Sequence, residues 1–298
     1  MANELILTAE VAKLEVKKGT RVFNKYAAIE DGAAALLAEQ NEHLELNGLT
    51  SLSEASAAKF AAEHQATLML NGLTYLSDAV AEFLGKHVGW TLSLNGLPSL
   101  SKTTAAALAQ HANTIQLNGI RILCADTAHA LAAHENELSL SGLTSLTTEA
   151  AIALATTKAA LSLNGLTVLQ DEVAAALASH SGFLSLAGLT RLEDSPGHKA
   201  LAAKLGAQQG NGLWLNNLDH LEPGSAEALS KQQGDLLMDS LTNLSDEVAS
   251  ALAKHQGFLS LRGLIILDDT AARALAQHKN LSVNEDLKDM LATLREPA

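Results

Sequence analysis

Apolar and polar positions along this chain alternate in short bursts, then shift to a longer period, and the shift recurs. "LSLNGLTVLQDEVAAALASH", Leu161 to His180, is matched by "LSLNGLPSLSKTTAAALAQH", Leu92 to His111, and by "LSLRGLIILDDTAARALAQH", Leu259 to His278. In each, "LSL" has the period of two expected of a short strand with one buried face. "NGL" reads as a turn, because Asn and Gly both tolerate positive φ. A second apolar pair such as Leu166 and Leu169 follows. The next residue is often a capping type: Ser53, Ser77, Ser101, Thr147, Ser245 and Asp268. Such side chains accept from the free N–H groups of a first helical turn. A short helix completes the unit, with Val173, Ala176, Leu177 and His180 on one face at i, i+3, i+4 and i+7.

The Gly of this phrase marks the repeat: Gly48, Gly72, Gly96, Gly119, Gly142, Gly165, Gly188 and Gly263, with Asn217 and Ser240 in two degenerate copies. Steps are 23 or 24 residues, except for one of 29 between Gly188 and Asn217. With a worn copy from Arg21 to Gln40, about eleven units span residues 21–280, one of them long, at 184–212. Residues 1–20 are expected to form an N-terminal cap, as a short helix or strand. Residues 281–298 are expected to form a C-terminal cap, with Leu287, Met290, Leu291 and Leu294 at helical spacing.

One strand and one short helix cannot bury their faces alone, but stacked copies can. Strands stack about 4.8 Å apart, whereas helices with their side chains are about 10 Å wide. The stack is therefore expected to curve, as an α/β solenoid with a parallel sheet on its concave face and short helices on its convex face. Small alanines, such as Ala106 and Ala107 or Ala175 and Ala176, would let neighbouring helices approach closely.

The strand leucines, the later Leu100 or Leu169 and the Ala-Leu-Ala helix resemble the leucine-rich repeat family, in a bacterial-looking 23-residue form, over nearly the whole chain from Arg21 onward. The resemblance implies a right-handed, horseshoe-like solenoid used as a binding scaffold, and no reaction. In one respect this chain departs from the family. The family's usual Asn falls three residues after the second strand Leu; here Leu97 or Leu166 stands at that place, and Asn moves back to Asn95 or Asn164.

Composition narrows the function classes. A formal net charge of −13 argues against phosphate backbones and anionic membrane surfaces, so neither nucleic acid nor membrane is an expected partner. The single cysteine, Cys124, fits a reducing compartment. The first residues lack the apolar run of a secretory signal. A cytoplasmic monomer is expected, with secretion as an effector by a route lacking a cleaved signal left open. No phosphate loop, nucleophile elbow or convincing carboxylate pair occurs. The chain is accordingly read as no enzyme, with no catalytic residues, no metal ligands and no cofactor.

Three columns carry polar chemistry. His64, His87, His111, His134, His180, His255 and His278 close their helices. They could bind metal or sense pH, but they are read as partners for open carbonyls of the last helical turn, a role taken over by Gln40, Thr157, Lys204 or Gln232 in other copies. Asn47, Asn71, Asn95, Asn118 and Asn164 are read as turn formers rather than as a row of ligand-binding amides. Cys124 takes a cap position and is read as a weak cap rather than a reactive thiol.

The outward strand positions are mild at first, for example Thr67, Met69, Thr91 and Ser93. Later they become Phe183, Trp214, Asp235, Leu237, Asp239, Phe258 and Arg262. With nine Phe, Tyr and Trp in the chain, three on one face within four successive units mark a patch. The expected function is capture of a protein partner on the C-terminal half of the concave face. Phe183, Trp214, Leu237 and Phe258 would be anchors, with Asp235, Asp239 and Arg262 as polar rim. The alternative is a small-molecule or carbohydrate site using Trp214 as a stacking platform. The inserted loop or the tail could instead cover the patch.

Overall fold

The computed structural model describes residues 5–210 and 212–294. The ends of both expected caps, residues 1–4 and 295–298, lie outside that range, as does Asn211 of the long unit. The chain groups into two compact units, one of residues 1–162 and 181–183, the other of residues 163–180 and 184–298.

In the first unit, Leu44–Glu45, Leu68–Met69, Thr91–Ser93, Thr114–Gln116, Glu137–Ser139 and Ala160–Ser162 are strands. They pair in parallel, each with the next, and every strand leucine sits opposite its counterpart one repeat on: Leu44 with Leu68, Leu68 with Leu92, Leu92 with Ile115. Helices such as Asp78–Leu84 and Lys102–Leu108 return the chain to the next strand. The expected N-terminal cap contains a strand, Ile6–Leu7, paired with Ala28–Ile29, and a helix, Ala9–Lys17. In the second unit Gly212–Trp214, Asp235–Leu237, Leu259–Ser260 and Leu281–Ser282 form a parallel sheet in that order. The helix Glu285–Leu294 follows and buries Leu287 and Leu291, whereas Met290 and Leu294 are half-buried.

The core is the leucine column itself. Leu92, Leu94 and Leu97 are buried with Ala105 and Leu108 of the following helix, and Leu161, Leu163 and Leu166 are buried in the same way. The buried helical face keeps Val173, Leu177 and His180 as the periodicity suggests and differs from it at one position. Val173, Ala174 and Leu177 are buried while Ala176 is only half-buried; likewise Ala105, rather than Ala106, is buried. In so short a helix the caps fix the rotation about its axis. Ser53, Ser77, Ser101, Thr147, Ser245 and Asp268 all cap as expected, each accepting from the N–H three residues on.

The Asn-Gly turn is built differently from the expectation. Among the described residues no non-glycine has positive φ, and the only glycines with positive φ are Gly19, Gly210 and Gly212. The chain instead makes a tight turn closed by Leu97 N–H on Leu94 O at 3.2 Å, and the same bond recurs at Leu73 and Ile120. Gly is needed for room. A Cβ on Gly96 would lie 2.1 Å from Asn71 O, and one on Gly119 would lie 2.3 Å from Asn95 O. Where the repeat lacks Gly, the side chain bonds that same carbonyl: Asn217 Nδ2 donates to Ala187 O at 3.0 Å, and Ser240 Oγ donates to Asn216 O.

The expected place for the extra residues of the long unit is after its helix, just before the strand bearing Trp214, and the structure differs. Its helix Pro196–Gly206 has 11 residues against 8 in Asp171–Ala178. The extra residues thus fall largely before and within the helix, rather than after it.

Candidate partner-binding site

The asparagine before each Gly links successive turns. Asn24 Oδ1 accepts from Asn47 N–H at 2.8 Å, Asn47 Oδ1 from Asn71 N–H at 3.1 Å, Asn71 Oδ1 from Asn95 N–H at 2.8 Å, and Asn95 Oδ1 from Asn118 N–H at 2.8 Å. Asn118 continues this to Ser141 N–H at 2.7 Å. The amides are ladder rungs, neither simple turn formers nor a free row for a ligand. They also bind the strand face, because Ser93 Oγ, buried between coils, donates to Asn71 Oδ1 at 2.8 Å and accepts from Asn95 Nδ2 at 2.9 Å.

In the second unit the ladder is interrupted. Asn164 Oδ1 accepts from Ala187 N–H at 2.9 Å and Asn216 Oδ1 from Asp239 N–H at 3.3 Å, after which an aspartate takes the position. Asp239 Oδ1 accepts from Ser260 Oγ at 2.6 Å and from Arg262 N–H at 3.1 Å. Asp239 therefore does the work of a ladder asparagine, where the outward alternation had placed it in a binding rim. Arg262 Nε donates to Ser282 Oγ at 3.0 Å, which draws its guanidinium along the sheet.

Trp214 stands 56% exposed, directly opposite Leu237 in the strand register, and Leu237 is opposite Ser260. One step back along the same strands Gly212 faces Asp235. Gly212 has φ +147°, and a Cβ there would meet Asp235 O at 2.7 Å, so this position carries no side chain beside the indole. Asp235 is exposed, and its carboxylate has no partner among the described residues. Phe258 is half-buried. Six of the seven candidate residues thus belong to one unit. Phe183 is 45% exposed and belongs to the first unit, where its carbonyl accepts from Leu161 N–H at 2.8 Å.

No protein-family model and no curated protein matches the sequence. Solved structures do match. An internalin from Listeria monocytogenes superposes with a TM-score of 0.50 at 13% identity, over 88% of this chain and 81% of that one. A TLR13–ssRNA13 complex gives 0.41 at 17% identity, over 87% of this chain and 46% of that one. A leucine-rich repeat protein of Leptospira interrogans gives 0.28 at 15% identity, over 88% and 97%.

The chain has the leucine-rich repeat fold. Its turn nevertheless uses the shifted asparagine to bridge coils, so the displacement of Asn by two residues keeps a ladder. Among the described residues no helix is long and apolar enough to cross a membrane.

Some exposed groups of these leucine-rich repeat coils escaped the strand alternation. Trp90 and Tyr75 of the first unit are each 76% exposed, more than any candidate anchor. Trp90 lies two residues before Leu92 and Tyr75 in the loop between strand and helix, positions that alternation does not classify. Cys124 caps the helix Ala125–Leu131 without a side-chain bond to its N–H groups. Its Sγ lies 3.1 Å from Thr127 Oγ1, and that hydrogen bond holds the thiol below its ordinary range.

The histidine column is buried, and its ring partners lie in neighbouring coils or two to three residues further on, instead of in the last turn of its own helix. His134 Nε2 donates to Glu137 O at 3.1 Å and its Nδ1 lies 3.4 Å from Ala109 O; His255 Nδ1 lies 3.3 Å from Ser230 O. In the long coil this place belongs to Gln208, not Lys204. Gln208 Oε1 accepts from Leu184 N–H at 2.6 Å and its Nε2 donates to Leu184 O at 3.0 Å.

Proposed function

We propose that this chain is a non-catalytic scaffold that captures a protein partner on the sheet face of its second unit, around Trp214. One observation supports this most: a tryptophan more than half exposed, with Leu237 in register beside it, on strands whose next register positions are Ser260 and Ser282. A large aromatic held rigidly by a sheet loses little conformational freedom on contact, which suits an interface anchor. Leu237 and Phe258 extend the apolar surface, and Asp235 supplies a free carboxylate at its edge. The reading also takes the sheet face as concave, the chain as monomeric and its setting as the cytoplasm or, after delivery, another cell.

The test pairs binding with stability. The Trp214→Ala, Phe258→Ala double variant should lose partner capture by at least about 30-fold, a hot-spot loss of about 2 kcal/mol, with a thermal transition close to that of the parent. A large fall in that transition would show the side chains to be core. A Trp214 fluorescence response to sugars in a Trp90→Phe background, without protein capture, would favour the carbohydrate reading instead.

A further inference from the structure

Three histidines of the first unit are joined ring to ring. His64 Nδ1 lies 3.0 Å from His87 Nε2, and His87 Nδ1 lies 3.2 Å from His111 Nε2. The rings lie edge to edge, with centroids 5.3 and 5.5 Å apart and planes inclined by 17° and 24°. All three are buried.

The backbone fixes the protons at both ends of this chain. His64 Nε2 lies 3.1 Å from Glu42 O, which can only accept, so that nitrogen carries the proton. His64 Nδ1 is then bare and accepts from His87 Nε2–H; His87 Nδ1 is bare in turn and accepts from His111 Nε2–H. At the far end Asn113 N–H donates to His111 Nδ1 at 3.1 Å, which requires that nitrogen to be bare. The chain therefore runs one way, with three neutral rings of the same tautomer. An added proton has no free nitrogen to occupy. Protonation at any Nδ1 sets two N–H groups against each other, and no tautomer change relieves the clash while Glu42 O and Asn113 N–H stay in place.

We propose that the His64–His87–His111 ladder is an acid-sensitive latch, which holds the successive coils from Glu42 to Asn113 together at neutral pH and releases them on acidification. The groups around it supply no counter-charge. His43 lies beside His64 and His134 beside His111, and both oppose a positive charge on the ladder. The flanking carboxylates are committed elsewhere, Glu42 to Arg21 and Glu63 to Lys59. Lys86, next to His87 in sequence, is exposed.

Burial pushes His87 down to about 3 and His111 down to about 4, and it lowers His64 as well. In an opened chain each titrates near 6.5. Above that value the contribution of the latch is constant. As pH falls below it, the opened chain binds protons that the closed one refuses, so stability is lost progressively down to about pH 3–4. His87 and His111 each favour opening on the order of 25-fold between pH 7 and pH 5, and His64 acts in the same direction.

Hydrogen exchange of the intact chain, read by mass spectrometry and corrected for intrinsic exchange rates, tests this. Peptides spanning His87 and His111 are compared with peptides spanning Gln208 and Gln232, where the same column carries no imidazole. Between pH 7 and pH 5 the ladder coils should lose at least tenfold more protection than the glutamine coils. His87→Gln, which puts in the residue this chain itself uses in that column, should flatten the difference. Equal losses in both regions, or an unchanged pH response in His87→Gln, would overturn the proposal. If that variant does not fold, ¹⁵N NMR of the parent's histidines decides: three neutral Nε2–H rings at pH 6.5 support the latch, and a charged ring or an Nδ1–H tautomer at His87 contradicts it.

Discussion

The two units build the same coil from different materials. In the first, the ladder runs through Asn24, Asn47, Asn71, Asn95 and Asn118, and three histidines are joined behind it. In the second, Ala187 and Asp239 interrupt the asparagines, Asn217 and Ser240 replace Gly, and Gln208 and Gln232 replace His, whereas the first departs at Ser141 in the Asn place and at Gln40 and Thr157 in the His place. The regular unit commits its outward polar groups to joining one coil to the next. In the irregular unit that joining is handed to individual local bonds, and it is there that the strand face presents Trp214, Leu237 and a free Asp235.

Substitutions in matching places test this contrast, and the largest effect should come at the glycines. Gly96→Val in the first unit places a side chain against Asn71 O, 2.1 Å from the new Cβ. It should lower stability by more than about 4 kcal/mol, or prevent folding. Ser240→Gly in the second unit removes only a hydrogen bond, and its denaturant midpoint should correspond to a loss of about 1 kcal/mol. Comparable effects at the two sites would erase the distinction.

Next in size is the ladder. Asn95→Ala leaves Asn118 N–H without its acceptor and should cost about 1–3 kcal/mol in urea unfolding. Cys124→Ser should act in the opposite direction, because a serine cap can accept from Thr127 N–H; a gain of about 1 kcal/mol is expected. Smallest of all is Asp239→Asn. Its amide oxygen can still accept from Ser260 and Arg262, so stability should change by less than about 0.5 kcal/mol and partner capture should persist. Loss of capture in that variant would return Asp239 to the binding rim.

Much of this was legible in the sequence, and particular residues show why. The strand leucines and the capping residues Ser53, Ser77, Ser101 and Thr147 are set by local periodicity and local hydrogen bonding, so the chain declares them within each unit. The role of Gly96 was not legible in that way. Its constraint is a carbonyl one repeat earlier, and short-range reasoning assigned it a positive φ that it does not have. The ladder asparagines and histidines were misassigned for the same reason, since their partners stand 23 or 24 residues away. Within the candidate site, alternation placed Trp214 and Leu237 correctly on one face. It could not separate Asp235, which is free, from Asp239, which holds its neighbour's backbone. It was also silent on Trp90 and Tyr75, which lie outside the strands.

The most direct measurement is quantitative affinity capture from native lysate with three baits: the parent chain, Trp214→Ala and Trp90→Ala. Both tryptophans are exposed, one on the sheet face of the irregular unit and the other beside a strand of the regular unit, so neither change should disturb folding. Capture lost with Trp214→Ala and retained with Trp90→Ala is the predicted result. Capture that survives Trp214→Ala, or that fails with Trp90→Ala instead, would contradict the assignment of binding to the second unit.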